Sequence, residues 1–206
     1  MKKITLLSLA LMIINVACKN PTETIETVAQ TETTNMKKTF KQIDPKDIQD
    51  NPIKLIDDDW LLISAGNQDK FNMMTASWGT IGNLWNQPVV FIFVRPQRYT
   101  YEFTENSKYF TVTAFEEKDR NILQICGTKS GRDIDKIKET GLKPLFTELG
   151  NPYYEQARLV IECEKIYADV LEEDSFIDKT IVDKTYPTKD FHKMYVGKIV
   201  NVWVKE

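Results

Sequence analysis

Two stretches near the C-terminus alternate in side-chain character. In residues 157–168, Leu159, Ile161 and Cys163 alternate with Val160, Glu162 and Glu164, and residues 194–204 alternate again to close the chain. A period of two is the signature of a strand with two different faces. Long strands of this kind need paired or closed edges, and closure into a barrel removes edges while leaving mouths where a ligand can sit.

The segments upstream supply partners. Residues 60–65 read as a buried strand ended by Gly66 and Asn67, and residues 71–79 as a strand of mixed pattern. Residues 88–94 form a strong β run behind an edge-tolerated proline, and residues 109–115 alternate β-branched and aromatic side chains. Helical spacing is expected at 99–106, with Thr100 as N-cap and Glu102 and Glu105 in the first turns. It recurs at 116–126 and at 134–140, the last closed by Gly141. Residues 43–52 are a polar lead-in, and residues 169–190 are charged and irregular. The expected fold is mainly β with inserted helices, a barrel with helical decorations.

The first residues follow a different logic. Lys2 and Lys3 precede an apolar run over 4–14 that is short for a bilayer span and suits a signal peptide. Asn15-Val16-Ala17-Cys18 resembles a bacterial lipoprotein box, in which Cys18 is acylated. Asn15 stands where such boxes usually carry Leu, and a plain signal peptide or a non-lipidated anchor are the alternatives. Residues 19–39, rich in Thr, Glu and Asn up to Asn35, hold too little apolar surface to fold and read as a tether. Met36-Lys37-Lys38 resembles a second beginning; a start there would give a soluble cytoplasmic domain. The organisation is therefore 1–18 signal, 19–39 tether and 40–206 a single domain. The chain would be membrane-anchored, periplasmic or at the cell surface, touching membrane only through its N-terminus.

The formal net charge of -3 creates no field for nucleic acid, so any anion site must be local. A single histidine, His192, excludes a multi-histidine metal site. No Gly-x-Ser-x-Gly turn, phosphate loop or Gly-x-Gly-x-x-Gly occurs. Cys126 and Cys163 form no Cys-x-x-Cys and are expected as buried thiols.

What remains is a concentration of anion-binding groups beside strands. Arg95, Arg98, Tyr99 and Thr100 put two guanidiniums, a hydroxyl and a helix start together. Lys129, Ser130 and Gly131, within 127–132, make a second small, hydroxylated, basic patch. Met74, Thr75, Ala76, Ser77 and Trp78 offer hydroxyls, a narrow position and a flat aromatic. Each has an ordinary reading: the arginines pairing with Glu102 or Glu105, a basic turn, a core tryptophan, a satisfied histidine. Together they support a site for a phosphorylated aromatic ligand.

Three segments in this order, residues 71–80, Arg95-Pro96-x-Arg98-Tyr99-Thr100-Tyr101-Glu102 and residues 126–132, resemble the flavin reductase-like, FMN-binding split-barrel family near its flavoredoxin branch. The resemblance runs from about Phe40 to the C-terminus. It implies a split β-barrel and a homodimer with FMN at the subunit interface. Met74 to Trp78 would line the ring and ribityl chain, Arg95, Arg98, Tyr99 and Thr100 would face the phosphate, and Lys129, Ser130 and Gly131 would close over the cofactor. Many relatives carry Gly-Asp-His near the last strand; the counterpart here is Asp190-Phe191-His192, which leaves His192 the one weak catalytic candidate. The implied activity is electron transfer from NADH or NADPH through FMN to flavin or another small acceptor. The alternatives are an FMN-holding carrier for a redox partner protein, or a ligand-binding surface lipoprotein without turnover.

Overall fold

The two long alternating stretches form the spine of the molecule. The computed structural model describes residues 39–206, so the leader, Cys18, Met36 and nearly all of the tether lie outside the described residues. Strand β9 (Leu159–Val170) and strand β10 (Lys193–Lys205) run antiparallel along most of their length. Around them an eight-stranded antiparallel sheet is ordered β3-β2-β6-β9-β10-β5-β4, from β2 (Leu61–Gly66), β3 (Phe71–Ala76), β4 (Gly79–Leu84), β5 (Gln87–Val94) and β6 (Tyr109–Ala114). Strand β1 (Phe40–Ile43) joins at the C-terminal half of β10.

β10 has different neighbours along its length. Its first half pairs with β5 and its last residues with β1. Register shifts at Val196/Gly197 and Ile199/Asn201 bend it between the two. At the bend only glycine fits: a Cβ on Gly197 would lie 2.4 Å from the Phe110 ring and 2.7 Å from Cys163 Cβ. The sheet thereby curls into a barrel opened along one side.

Both faces of the central strands are covered, which explains the unbroken burial at 61–65. Leu61, Ile63 and Ala65 join Val90, Ile92, Phe110, Ile161 and Tyr195 inside the barrel. Leu62 points the other way, into a second cluster with Leu123, Cys126, Tyr153, Tyr154 and Trp203. Cys126 and Cys163 are free and buried, as expected. Glu162 places a carboxylate in the interior. It is fully buried and accepts hydrogen bonds from Thr147, from Asn151 Nδ2 (2.7 Å) and from Asn201 Nδ2 (2.7 Å).

Among the described residues, five α-helices decorate the sheet: α1 (Pro52–Asp57), α2 (Tyr99–Asn106), α3 (Arg120–Thr128), α4 (Lys136–Thr140) and α5 (Lys179–Thr185). α2 has the expected bounds but not the expected cap. Arg98 occupies the N-cap position, and Thr100 is buried, its hydroxyl accepting from Asn72 Nδ2 at 2.8 Å. The strand expected at 71–79 is two strands: β3 ends at Ala76, and β4 follows a turn through Ser77 and Trp78. The helix expected at 116–126 begins as a 3-10 turn and continues as α3 to Thr128, absorbing Gly127 and Thr128 of the basic patch. Gly141 closes α4 with a left-handed φ of 69°. The charged segment 169–190 holds α5 and folds back towards the site.

Candidate functional site

The ends of β3 and β5 and the start of β10 meet around a hollow of about 240 Å³ lined by Met74, Thr75, Ala76, Ser77, Trp78, Phe93, Arg95, Arg98 and His192. Five consecutive residues on one wall reflect the way β3 runs off the barrel into a turn. Trp78, half exposed, lies at the rim with its ring 5.1 Å from that of His192.

The two arginines differ in their commitments. Arg95 donates to the Asp190 carboxylate at 2.6 Å and to the Thr185 carbonyl at 2.9 Å, and its guanidinium lies over the Tyr186 ring. It fastens the 169–190 segment against β5. Hydrogen bonds from Thr188, Gln97 and Arg95 hold Asp190 down at about 2, a charged partner at any physiological pH. Arg98 donates to the Gly127 carbonyl at 2.8 Å. It has no carboxylate partner among the described residues, and burial with Arg95 beside it pushes its pKa down. A desolvated guanidinium without a counter-charge favours an anion at its free N–H groups. Neither arginine pairs with Glu102 or Glu105: those carboxylates take Arg132 and Lys193.

The last turn of α3 is bound to the same wall. Its outward carbonyls would be without partners at a helix end. Thr75 Oγ1 donates to Leu123 O, Lys136 Nζ to Cys126 O at 2.9 Å, and Arg98 to Gly127 O. Lys136 also reaches Met73 O at 2.8 Å. Burial lowers its pKa to about 8 and raises that of the Cys126 thiol to about 11. Gly127 packs so closely that a Cβ there would lie 3.3 Å from Thr75.

His192 is buried and its Nδ1 lies 2.8 Å from Tyr186 Oη. Burial first, then the repulsion of Arg95 and Arg98 against a weaker pull from Asp190, lowers its pKa to about 4, so the ring is neutral at pH 7.

Of the residues singled out in the sequence, Met74 to Trp78, Arg95, Arg98 and His192 converge on this hollow. Tyr99 and Gly131 instead line a neighbouring hollow with Asn72 and Lys136. Thr100 is sealed against Asn72, Lys129 pairs with Glu139, and Ser130 Oγ accepts from the Arg132 amide. Phe93 lines the hollow, Tyr186 backs His192 and Lys136 holds the end of α3, and none of the three was singled out. Phe93 alternates inside a recognised strand and was legible as a wall residue; the other two depend on long-range packing. A larger hollow of about 520 Å³ lies by Asn67, Lys70, Glu102 and Lys108, but it mixes both charge signs and holds no arginine. The smaller hollow has the better-defined chemistry.

The model of the flavin reductase like domain matches residues 59–206. A protein of uncharacterised function from Aeropyrum pernix is 28% identical over 114 residues, 54% of this chain; the match spans 42% of that relative's length. An FMN-binding protein from Thermus thermophilus, solved with bound p-hydroxybenzaldehyde, superposes with a TM-score of 0.55 at 22% identity, covering 71% of each chain. A flavoredoxin from Methanosarcina acetivorans gives 0.55 at 23% identity over 71% of this chain and 68% of its own. With the split-barrel fold in common and most of the domain matched, this chain belongs to the flavin reductase-like domain family.

Proposed function

We propose that the hollow holds the flavin of an FMN-dependent oxidoreductase. The observation that carries this reading is Arg98: a half-buried guanidinium, unneutralised by any carboxylate among the described residues, at the foot of a wall ending in the exposed ring of Trp78. The residues present fit FMN. Arg98 would take the phosphate, the hydroxyls of Thr75 and Ser77 would serve polar edges, and Trp78 and Phe93 would cover flat surface. Arg95 would contribute charge rather than a free fork, since Asp190 and Thr185 occupy it.

Bound FMN supplies hydride or single-electron acceptance at its own ring. The protein needs no nucleophile, in keeping with a sequence that holds no Gly-x-Ser-x-Gly turn. Its residues would anchor the phosphate, exclude water from one side with the β3 wall, and leave the His192 side open to a reactant. The reading extends to NADH or NADPH as donor, flavin or another small molecule as acceptor, and a homodimer sharing the site. Solved relatives named for FMN binding and as flavoredoxins support the cofactor. The flavoredoxins also support the second reading, an FMN-holding carrier serving a redox partner protein. Export by the Cys18 leader would favour the carrier, because a protein outside the cytoplasm does not meet the NADH pool.

Anaerobic mixing with NADH and then NADPH separates these. Rapid loss of flavin colour supports the oxidoreductase. Loss of colour only with dithionite or a protein donor supports the carrier.

A further inference from the structure

His192 is the only histidine in the chain, and its two ring nitrogens meet different surroundings. Nδ1 is held from behind by Tyr186 Oη at 2.8 Å. The ring itself lines the hollow beside Trp78, and among the described residues Nε2 has no hydrogen-bond partner.

Tyr186 is built to stay in place. It follows α5, is only 3% exposed, and packs against Phe191 with ring centroids 4.8 Å apart and against Phe176 at 5.8 Å. The Arg95 guanidinium lies 5.3 Å from its ring centre. Burial raises the phenol's pKa, so it keeps its hydrogen at neutral pH. Among the described residues Nδ1 is the one partner within hydrogen-bond reach of Tyr186 Oη, so a phenol hydrogen not given to Nδ1 would be left without an acceptor in a buried place. A neutral imidazole that accepts at Nδ1 carries its proton on Nε2.

We propose that Tyr186 is a positioning residue that fixes His192 as the Nε2–H tautomer, presenting a neutral hydrogen-bond donor to the hollow for a ligand with a carbonyl or other acceptor oxygen. The charged groups around the ring are Arg95 and Arg98, which oppose a second proton, and Asp190, which favours one; the Trp78 turn contributes no charge. A neutral donor therefore reaches the ligand without adding a third positive charge beside two arginines. Only the ligand's identity rests on the functional reading above; the tautomer does not.

A single histidine makes the test direct. The full-length protein is labelled with ¹⁵N in the imidazole ring, and long-range proton–nitrogen spectra are recorded across pH. At pH 7 the wild type should show a protonated Nε2 and an unprotonated Nδ1. In Tyr186→Phe the two tautomers should mix, because no phenol hydrogen then holds Nδ1 as an acceptor. A wild-type proton on Nδ1 would overturn the proposal, whether or not the variant folds. So would a Tyr186→Phe protein that keeps the single Nε2–H tautomer. FMN affinity measured on the same samples separates the two claims: a fixed Nε2–H in protein that takes no flavin supports this proposal and sinks the cofactor assignment.

Discussion

Arg98 donates to the carbonyl of Gly127 across 2.8 Å, joining the start of α2 to the end of α3 at the floor of the hollow. One N–H of the guanidinium thus serves the fold and fixes the direction of the others. Replacing Arg98 by alanine should weaken FMN binding by roughly ten- to a hundredfold, the equivalent of about 1.5–3 kcal/mol for a charge-assisted contact. Lysine should recover only part of this, because it lacks the planar fork. Fluorescence titration of FMN reads both variants. Unchanged affinity in Arg98→Ala would remove the phosphate assignment.

His192 should make the fold sensitive to mild acid. Its folded pKa is about 4 against 6.5 for the free side chain. Between those values the unfolded chain binds a proton that the fold excludes, so this group's contribution to stability falls as pH falls from about 6.5 to about 4. Below that it levels off. Urea midpoints of the wild type and His192→Gln, compared across this window, should diverge in slope; parallel curves would contradict the buried neutral ring.

Glu162 should be among the most sensitive positions outside the site. Alanine there leaves the buried donors of Thr147 and Asn151, and the partly buried one of Asn201, without their acceptor. Each buried orphan costs about 1–3 kcal/mol, enough to threaten a domain of ordinary stability. Chemical denaturation should show a loss of several kcal/mol by this reckoning. A loss near zero would mean that water satisfies these groups.

Gly197→Ala probes the bend of β10. The new methyl meets the Phe110 ring and Cys163 inside the barrel, and overpacking of this kind costs typically about 1–3 kcal/mol. A matching fall in melting temperature is expected. The hollow is bordered by the start of β10, so FMN affinity should also drop if the bend sets its shape.

Local sequence carried some of these features and not others. The bounds of α2, the Gly141 cap and the long alternation of β9 and β10 were legible because each is written in period, turn chemistry or both. β4 was not: Gly79, Gly82 and Asn83 dilute its β character, and its pairing with β5 supplies what propensity lacks. Strands β1, β7 (Pro144–Phe146) and β8 (Pro152–Tyr154) are too short to show a period. In the site, the contiguous wall from Met74 to Trp78 and the spacing of Arg95 and Arg98 could be read from the chain. Tyr186 could not, since a charged, irregular segment gives no hint that one aromatic returns to hold a histidine. The ordinary reading of Lys129 as a surface cation agrees with its pairing to Glu139.

The central claim is that the hollow between Met74, Arg98 and His192 binds FMN. The most direct measurement is an equilibrium titration of the purified, flavin-free protein with FMN, followed by quenching of flavin fluorescence and by the flavin absorption band. Saturable binding with one FMN per chain is expected, weakened in Arg98→Ala and with the flavin fluorescence quenched against Trp78. A protein that stays colourless and leaves FMN fluorescence unaltered at saturating concentrations would contradict it.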